Sequence, residues 1–339
     1  MTSANIRAGK KRARAHQNAR IWRRGPIPTP AGSGEHDYGY FGPGSQVWRV
    51  VLHPAVTAFL APVTALLELP HIPLQAVIHD HDPLAVAGRR SRSMSPLMAV
   101  RRAQRTVGVP VPIILGDRET ADRVAAHLRR YHAPMTGTIP GTDQPYAAQG
   151  PELVLFAHVT IMQAALLVYE NAAFEGLRRP HRLTPRDRDQ FWLEAKQFGV
   201  LMGANPEEIP TTCRAVAAYY AGIADTYGVI DGFGPDLVVG PFLAMLRGLT
   251  PAHLPELAPL ALAGAVTPQL IAMLPRPARR NLGVPAVLDP FLDLSLRLTR
   301  PAARVFTVRP FADALERRIT GPDAMDLVAH ARRLRTTAA

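Results

Sequence analysis

The stretch PELVLFAHVTIMQAALLVYENAAFEGL, from Pro151 to Leu177, decides how the rest of the chain is read. Pro151 and Glu152 suit a first helical turn, where proline has no N–H to lose and a carboxylate meets the positive end of the helix. The residues that follow have almost no polar face. Leu153, Val154, Leu155, Phe156, Ala157, Val159, Ile161, Met162, Ala164, Ala165, Leu166, Leu167 and Val168 cover every side. A helix that is apolar all round has to be buried all round. The polar exceptions are His158, Thr160, Gln163, Tyr169 and Glu170. An imidazole buried at position 158 needs a partner for its ring nitrogens. That partner is either a backbone carbonyl or a metal, haem iron included, and composition leaves the choice open.

At 339 residues and 47% hydrophobic composition, the chain can bury a sizeable core. Its 33 prolines favour short helices with frequent corners. A single cysteine, Cys213, excludes an internal disulfide and any cysteine-based metal cage, and agrees with a reducing compartment. The net charge of +12 resembles a nucleic-acid signal until it is located. Residues 1–24 carry eight basic side chains and no acid, and residues 300–339 carry eight basic and four acidic ones. The intervening residues hold 23 of each sign, so the basicity lives in the tails. No nucleic-acid partner is expected from an electroneutral middle, whereas residues 1–24 could rest on an anionic membrane. No apolar signal segment follows the basic arm, and no clean apolar run of membrane-spanning length is evident, so a cytoplasmic protein, peripheral to the membrane at most, is expected.

Along the chain, residues 1–34 read as a basic flexible arm and linker. Ser45 caps a helix through Val47–Leu52, and Pro54 opens another to about Leu69, interrupted by Pro62. Residues 70–96 are mixed, and 97–107 read as a helix. Val109–Leu115 is β-branched and holds two prolines, which suggests an extended segment. Asp117 caps a helix to about Tyr131, and residues 133–150 form a loop. Thr184-Pro185 starts a helix stopped at Gly203, and Pro210 opens one to about Tyr227. Further helices are expected at 235–247, 255–264, 267–274, 286–300 and 322–334. The fold class is mainly α, with residues 35–250 as the main helical domain and 251–339 as a helical extension packed on the same domain.

Few constellations point to chemistry. His79-Asp80-His81-Asp82 combines imidazole and carboxylate donors that suit zinc or iron, although a solvated loop accounts for it more simply. No nucleophile elbow, Walker loop, H-E-x-x-H or dinucleotide glycine fingerprint is present. Arg102 and Arg105 lie three apart and project from one helix face, with Thr106 one turn from Arg102. They are either a solvent-facing basic surface or a pair of guanidinium forks facing an oxygen ligand. His132 ends a helix, where a structural cap and a ligand are both open readings.

Taken in order, these pieces resemble the MpaB-like and latex-clearing-protein (rubber oxygenase) family over roughly residues 38–250. The resemblance rests on Phe41-Gly42-Pro43-Gly44-Ser45 with Trp48-Arg49, Arg102-x-x-Arg105-Thr106, Gly116-Asp117, and His132-x-x-x-x-Gly137. Tyr146-Ala147, the His158 helix ending in Tyr169-Glu170, Gly203, Pro210 and Tyr219 complete it. It implies a single large helical domain, globin-like in general character, around a buried haem b. His158 would be the proximal iron ligand, Arg102, Arg105 and Thr106 would line the distal side as catalytic residues, and His132 is a further cofactor-contact candidate. Position 105 is arginine where the latex-clearing proteins carry lysine, and an arginine stays charged and cannot coordinate iron. The implied activity is haem-dependent oxygenation or oxidative cleavage of an apolar, isoprenoid-type substrate with dioxygen. The competing reading is a non-catalytic helical protein that binds lipid or isoprenoid at a membrane surface.

Overall fold

A computed structural model describes residues 37–82, 108–230, 266–320 and 322–337. The expected helices at 97–107, 235–247 and 255–264 lie wholly or almost wholly outside those residues, as do Arg102, Arg105 and Thr106. The architecture is mainly helical.

The first helix, α1 (Gln46–Val51), is capped as expected by the Ser45 hydroxyl, which accepts from the Trp48 backbone N–H. Trp48 is buried, and its indole N–H donates to the Ile114 carbonyl at 2.9 Å, fixing α1 against the chain 66 residues away. A short corner leads into α2 (Pro54–Glu68), where the His53 ring accepts from the Ala55 N–H and Pro54 occupies the first turn. Pro62 lies inside α2. Residues 72–81 form a helix, α3 (Ile72–His81), in a stretch whose prolines suggested mixed structure.

Val109–Leu115 corrects an expectation. It is not extended but forms a fully buried helical turn and a half, α4 (Pro110–Leu115). Its prolines fall at the first and third helical positions, where the backbone N–H groups have no intrahelical acceptor, so they initiate the helix instead of breaking it. Asp117 then caps α5 (Arg118–His132), accepting from the Thr120 N–H at 2.7 Å. The expected loop at 133–150 contains a small antiparallel hairpin, β1 (Thr136–Thr138) with β2 (Pro145–Ala147).

The stretch that opened the reading is α6 (Pro151–Ala172), and it is buried almost throughout. Among the described residues it is the one helix long and apolar enough to cross a membrane, but the fold buries most of it. It packs along α2, with α7 (Pro185–Met202) and α1 on its other sides. Glu170, near its end, turns inward to accept from the Leu183 N–H at 3.0 Å, drawing the following loop back onto the helix. Thr184 caps α7 and Gly203 ends it in the left-handed region (φ +103°), both as the sequence suggested. The helix expected from Pro210 begins later, as α8 (Cys213–Gly222), capped by Thr212 and followed by a 3-10 turn at Ala224–Thr226.

The C-terminal part supplies α9 (Arg276–Asn281), α10 (Asp289–Thr299), α11 (Arg309–Thr320) and α12 (Pro322–Thr337). α11 packs on α2 and α12 on α4. Leu292, Leu296, Phe306, Met325 and Val328 join the same apolar core as α2 and α6. Arg332 ties the regions together. Its guanidinium donates to the Leu52 carbonyl at 2.7 and 3.0 Å and grips both Glu316 carboxylate oxygens at 2.6 Å.

Candidate functional site

The side chain with the least ordinary environment is His158. It lies in the third turn of α6 with no solvent exposure, and neither ring nitrogen has a hydrogen-bond partner. Burial pushes its pKa down to about 3, so the imidazole is neutral at physiological pH. An unsatisfied buried polar group costs roughly 1–3 kcal/mol, and this ring has two. A histidine kept for packing alone would be given an acceptor for its N–H. Gly199 of α7 makes room for the ring: a Cβ there would meet His158 Cγ and Cδ2 at 2.9 Å. The Phe198 ring, with its centroid 5.9 Å away, stands tilted beside the imidazole.

A bare metal ion needs three or four protein ligands. Among the described residues no cluster of three or more His, Cys, Asp or Glu could provide them. A lone neutral imidazole instead suits a metal that brings its own equatorial donors, as haem iron does. The donor chemistry of His158 therefore fits a haem-iron ligand.

The other candidates fare differently. At the end of α3, His79 Nδ1 is 2.7 Å from Asp80 Oδ1, the Tyr146 hydroxyl donates to Asp80 Oδ2, and His81 Nε2 lies 3.3 Å from the Thr136 carbonyl. These contacts pin the β1–β2 hairpin to α3, a structural role. His132 is the last residue of α5, half-buried, with its ring tilted against that of Tyr131. Two open grooves of about 570 and 560 Å³ mark the surface, one between Tyr40–Ser45 and Leu193–Gln197, the other between α11 and α12. His158 lines neither.

Sequence reading missed a second buried imidazole. His71 precedes α3, is buried, and stacks on Phe156 with ring centroids 3.8 Å apart and planes 13° from parallel. Its Nδ1 has no partner, and burial lowers its pKa to about 4. Phe156 and His158 are two positions apart on α6 and so project from opposite sides of the helix. The two histidines therefore belong to different interior faces. Thr160, on the Phe156 side, has a buried hydroxyl that faces the buried Tyr220 hydroxyl. Nothing in a proline-flanked His71 distinguished it in the sequence. Gly199, by contrast, was visible as a glycine inside a predicted helix.

A family model described as the catalytic domain of ER-bound oxygenase mpaB/B′ and rubber oxygenase matches residues 48–336. The chain belongs to this family. Neither a curated protein nor a solved structure matches it. The matched region runs beyond residue 250 and takes in the C-terminal helices that share the core. Membership in the mpaB/rubber oxygenase family makes this an oxygenase-type catalytic domain, a class that acts on a small molecule with dioxygen.

Proposed function

We propose that the protein is a haem-dependent oxygenase of an apolar, isoprenoid-type substrate, cytoplasmic and at most peripheral to the membrane, with His158 as the residue that would hold the iron of haem b. The observation that carries this reading is a neutral, fully buried imidazole with two unpartnered nitrogens and no other metal-binding cluster among the described residues. Haem, when bound, supplies the activation of dioxygen needed to oxygenate or cleave a carbon–carbon double bond.

The chain's own residues supply the setting. His158 would hold the iron through a ring nitrogen, and burial keeps the imidazole neutral and so free of a competing proton. Gly199 and Phe198 limit how far the imidazole can turn. The buried apolar side chains of α2 and α6 keep the interior around α6 dry, which strengthens any fixed charge acting there and would favour an apolar substrate. The family resemblance assigns Arg102, Arg105 and Thr106 to the other side of the group. A guanidinium there would stabilise negative charge as it develops on oxygen, without ligating the iron. His132 is a secondary candidate for contact with the cofactor. Residues 1–24, all basic in their charge, are a candidate contact to anionic lipid.

The test is an absorption spectrum of protein produced with ample haem, with the haem-to-protein ratio measured for the parent and for His158→Ala. A Soret band in the parent that is lost or shifted in the variant supports the reading. A colourless parent, or a variant with an unchanged spectrum and iron content, sinks it.

A further inference from the structure

The outward side of α10 is apolar, and among the described residues the charge on that helix outside an ion pair is the Arg297 guanidinium. Leu292 and Leu296, four apart, are buried against the core. Phe291, Leu294 and Leu298, at the i, i+3, i+7 spacing of a single helix side, are 65%, 54% and 71% exposed. Val287, 81% exposed, and Leu288 extend the row before the helix, and Val305 and Val308 are exposed in the segment after it. Single exposed apolar residues are ordinary, but a row of large ones along one helix marks a contact surface.

The acids of this region are already committed. Asp289 pairs with Arg279 at 3.0 Å and with Arg280, and Asp293 pairs with Arg279 at 2.8 Å and Arg276 at 3.3 Å. Arg297, on α10, and Arg304, in the 300–307 segment that packs against it, are exposed and form no ion pair with a carboxylate among the described residues. The surface is therefore an apolar row with free cations beside it. Two copies face to face would set these arginines against each other with no acid to separate them, which disfavours self-association. An anionic bilayer satisfies both features, because it accepts apolar side chains below the headgroups and offers phosphates at the level of the cations.

We propose that this face docks the protein on an anionic lipid bilayer. Phe291, Leu294 and Leu298 enter the boundary between headgroups and acyl chains, and Arg297 and Arg304 meet lipid phosphates. The proposal rests neither on the haem reading nor on the basic arm at residues 1–24.

The experiment is co-sedimentation of the full chain with vesicles of phosphatidylcholine, with or without about one-third phosphatidylglycerol. The expected result is binding to the anionic vesicles that weakens at least about tenfold in Phe291→Glu/Leu298→Glu, given two large apolar side chains removed from the bilayer. Added salt should weaken binding by the parent, whereas Arg297→Glu/Arg304→Glu should bind more weakly at low salt and lose that salt sensitivity, and both variants should keep the parent's circular dichroism and Tm because the substituted side chains are exposed. A chain lacking residues 1–24 should retain the sensitivity to Phe291→Glu/Leu298→Glu. Unchanged binding by Phe291→Glu/Leu298→Glu overturns the proposal, as does attachment that depends on residues 1–24 alone. Sedimentation velocity showing a parent dimer that these substitutions split, without vesicle binding, also overturns it and assigns the face to a second copy.

Discussion

Gly199 on α7 and His158 on α6 pack so closely that a methyl group at 199 would lie 2.9 Å from two imidazole carbons, and equally close to Ile209 Cδ1. Alanine there gains up to about 1 kcal/mol of helix propensity. Overpacking a buried contact of this kind loses about 1–3 kcal/mol. The loss should win, so Gly199→Ala is expected to lower stability by up to about 2 kcal/mol in a urea melt. It should also lower the haem-to-protein ratio, because the displaced ring is the proposed ligand. A variant as stable as the parent with undiminished haem would show that the contact relaxes freely.

His71 should leave a signature in the acid dependence of stability. Its folded pKa, about 4, lies below the ordinary histidine value because burial disfavours the charged ring. Between roughly pH 6.5 and 4 the unfolded chain binds this proton and the folded one does not, so stability falls as the pH drops through that window. The loss amounts to about 3 kcal/mol. His71→Phe keeps an aromatic ring on Phe156 and removes the titration. Denaturant melts at both pH values should therefore show a smaller acid loss in the variant by about that amount, and parallel pH profiles would refute the assignment.

Removing one partner of the Arg332–Glu316 pair should be severe. Glu316 is 1% exposed and is held at both oxygens, so Arg332→Ala leaves a buried carboxylate uncompensated and the Leu52 carbonyl without its donor. A cost of about 3–5 kcal/mol is expected. The double replacement Glu316→Leu/Arg332→Met should cost less than the single change, because no lone charge remains. Thermal melts of the three variants decide it; a double variant worse than Arg332→Ala would count against the argument.

Gly203 ends α7 at φ +103°, and a Cβ there would approach Gln149 Nε2 at 2.8 Å. Gly203→Ala is therefore expected to lose about 1–2 kcal/mol through backbone strain, with the Gln149 bond to the Met202 carbonyl disturbed. A Tm unchanged by the substitution would remove this cap from the stabilising elements.

Helix starts and stops were the most legible part of the chain. Ser45, Asp117 and Thr184 each announce a cap by a side-chain oxygen that accepts from a backbone N–H, and Gly203 announces a stop by its freedom at positive φ. Those are local interactions, and sequence records them locally. Val109–Leu115 misled because Pro110 and Pro112 read as strand breakers unless the helix is known to begin at Pro110, and the start lacks a polar cap to mark it. The hairpin at 136–147 escaped because strands of three residues are too short for an alternating pattern. For the site, the burial of His158 followed from its apolar neighbours, but the absence of partners for both nitrogens did not. That property depends on Phe198, Gly199 and Ile209, which arrive from α7 and the loop beyond it. His71 was opaque for the same reason: its stacking partner, Phe156, is 85 positions away.

The contact between Arg332 and the Leu52 carbonyl has a consequence for biosynthesis. The two groups are 280 residues apart in the chain. At a ribosomal rate of about 5–20 residues per second, the guanidinium is made about 15 to 55 seconds after the carbonyl it will hold. Until then the corner between α1 and α2 must keep its carbonyl in water, and the α2 face that α11 will cover stays open. The nascent chain therefore passes through an interval in which its most apolar helices, α2 and α6, are present without their final cover. That interval, set by where a single arginine sits in the sequence, is when the growing chain is most exposed to non-native association.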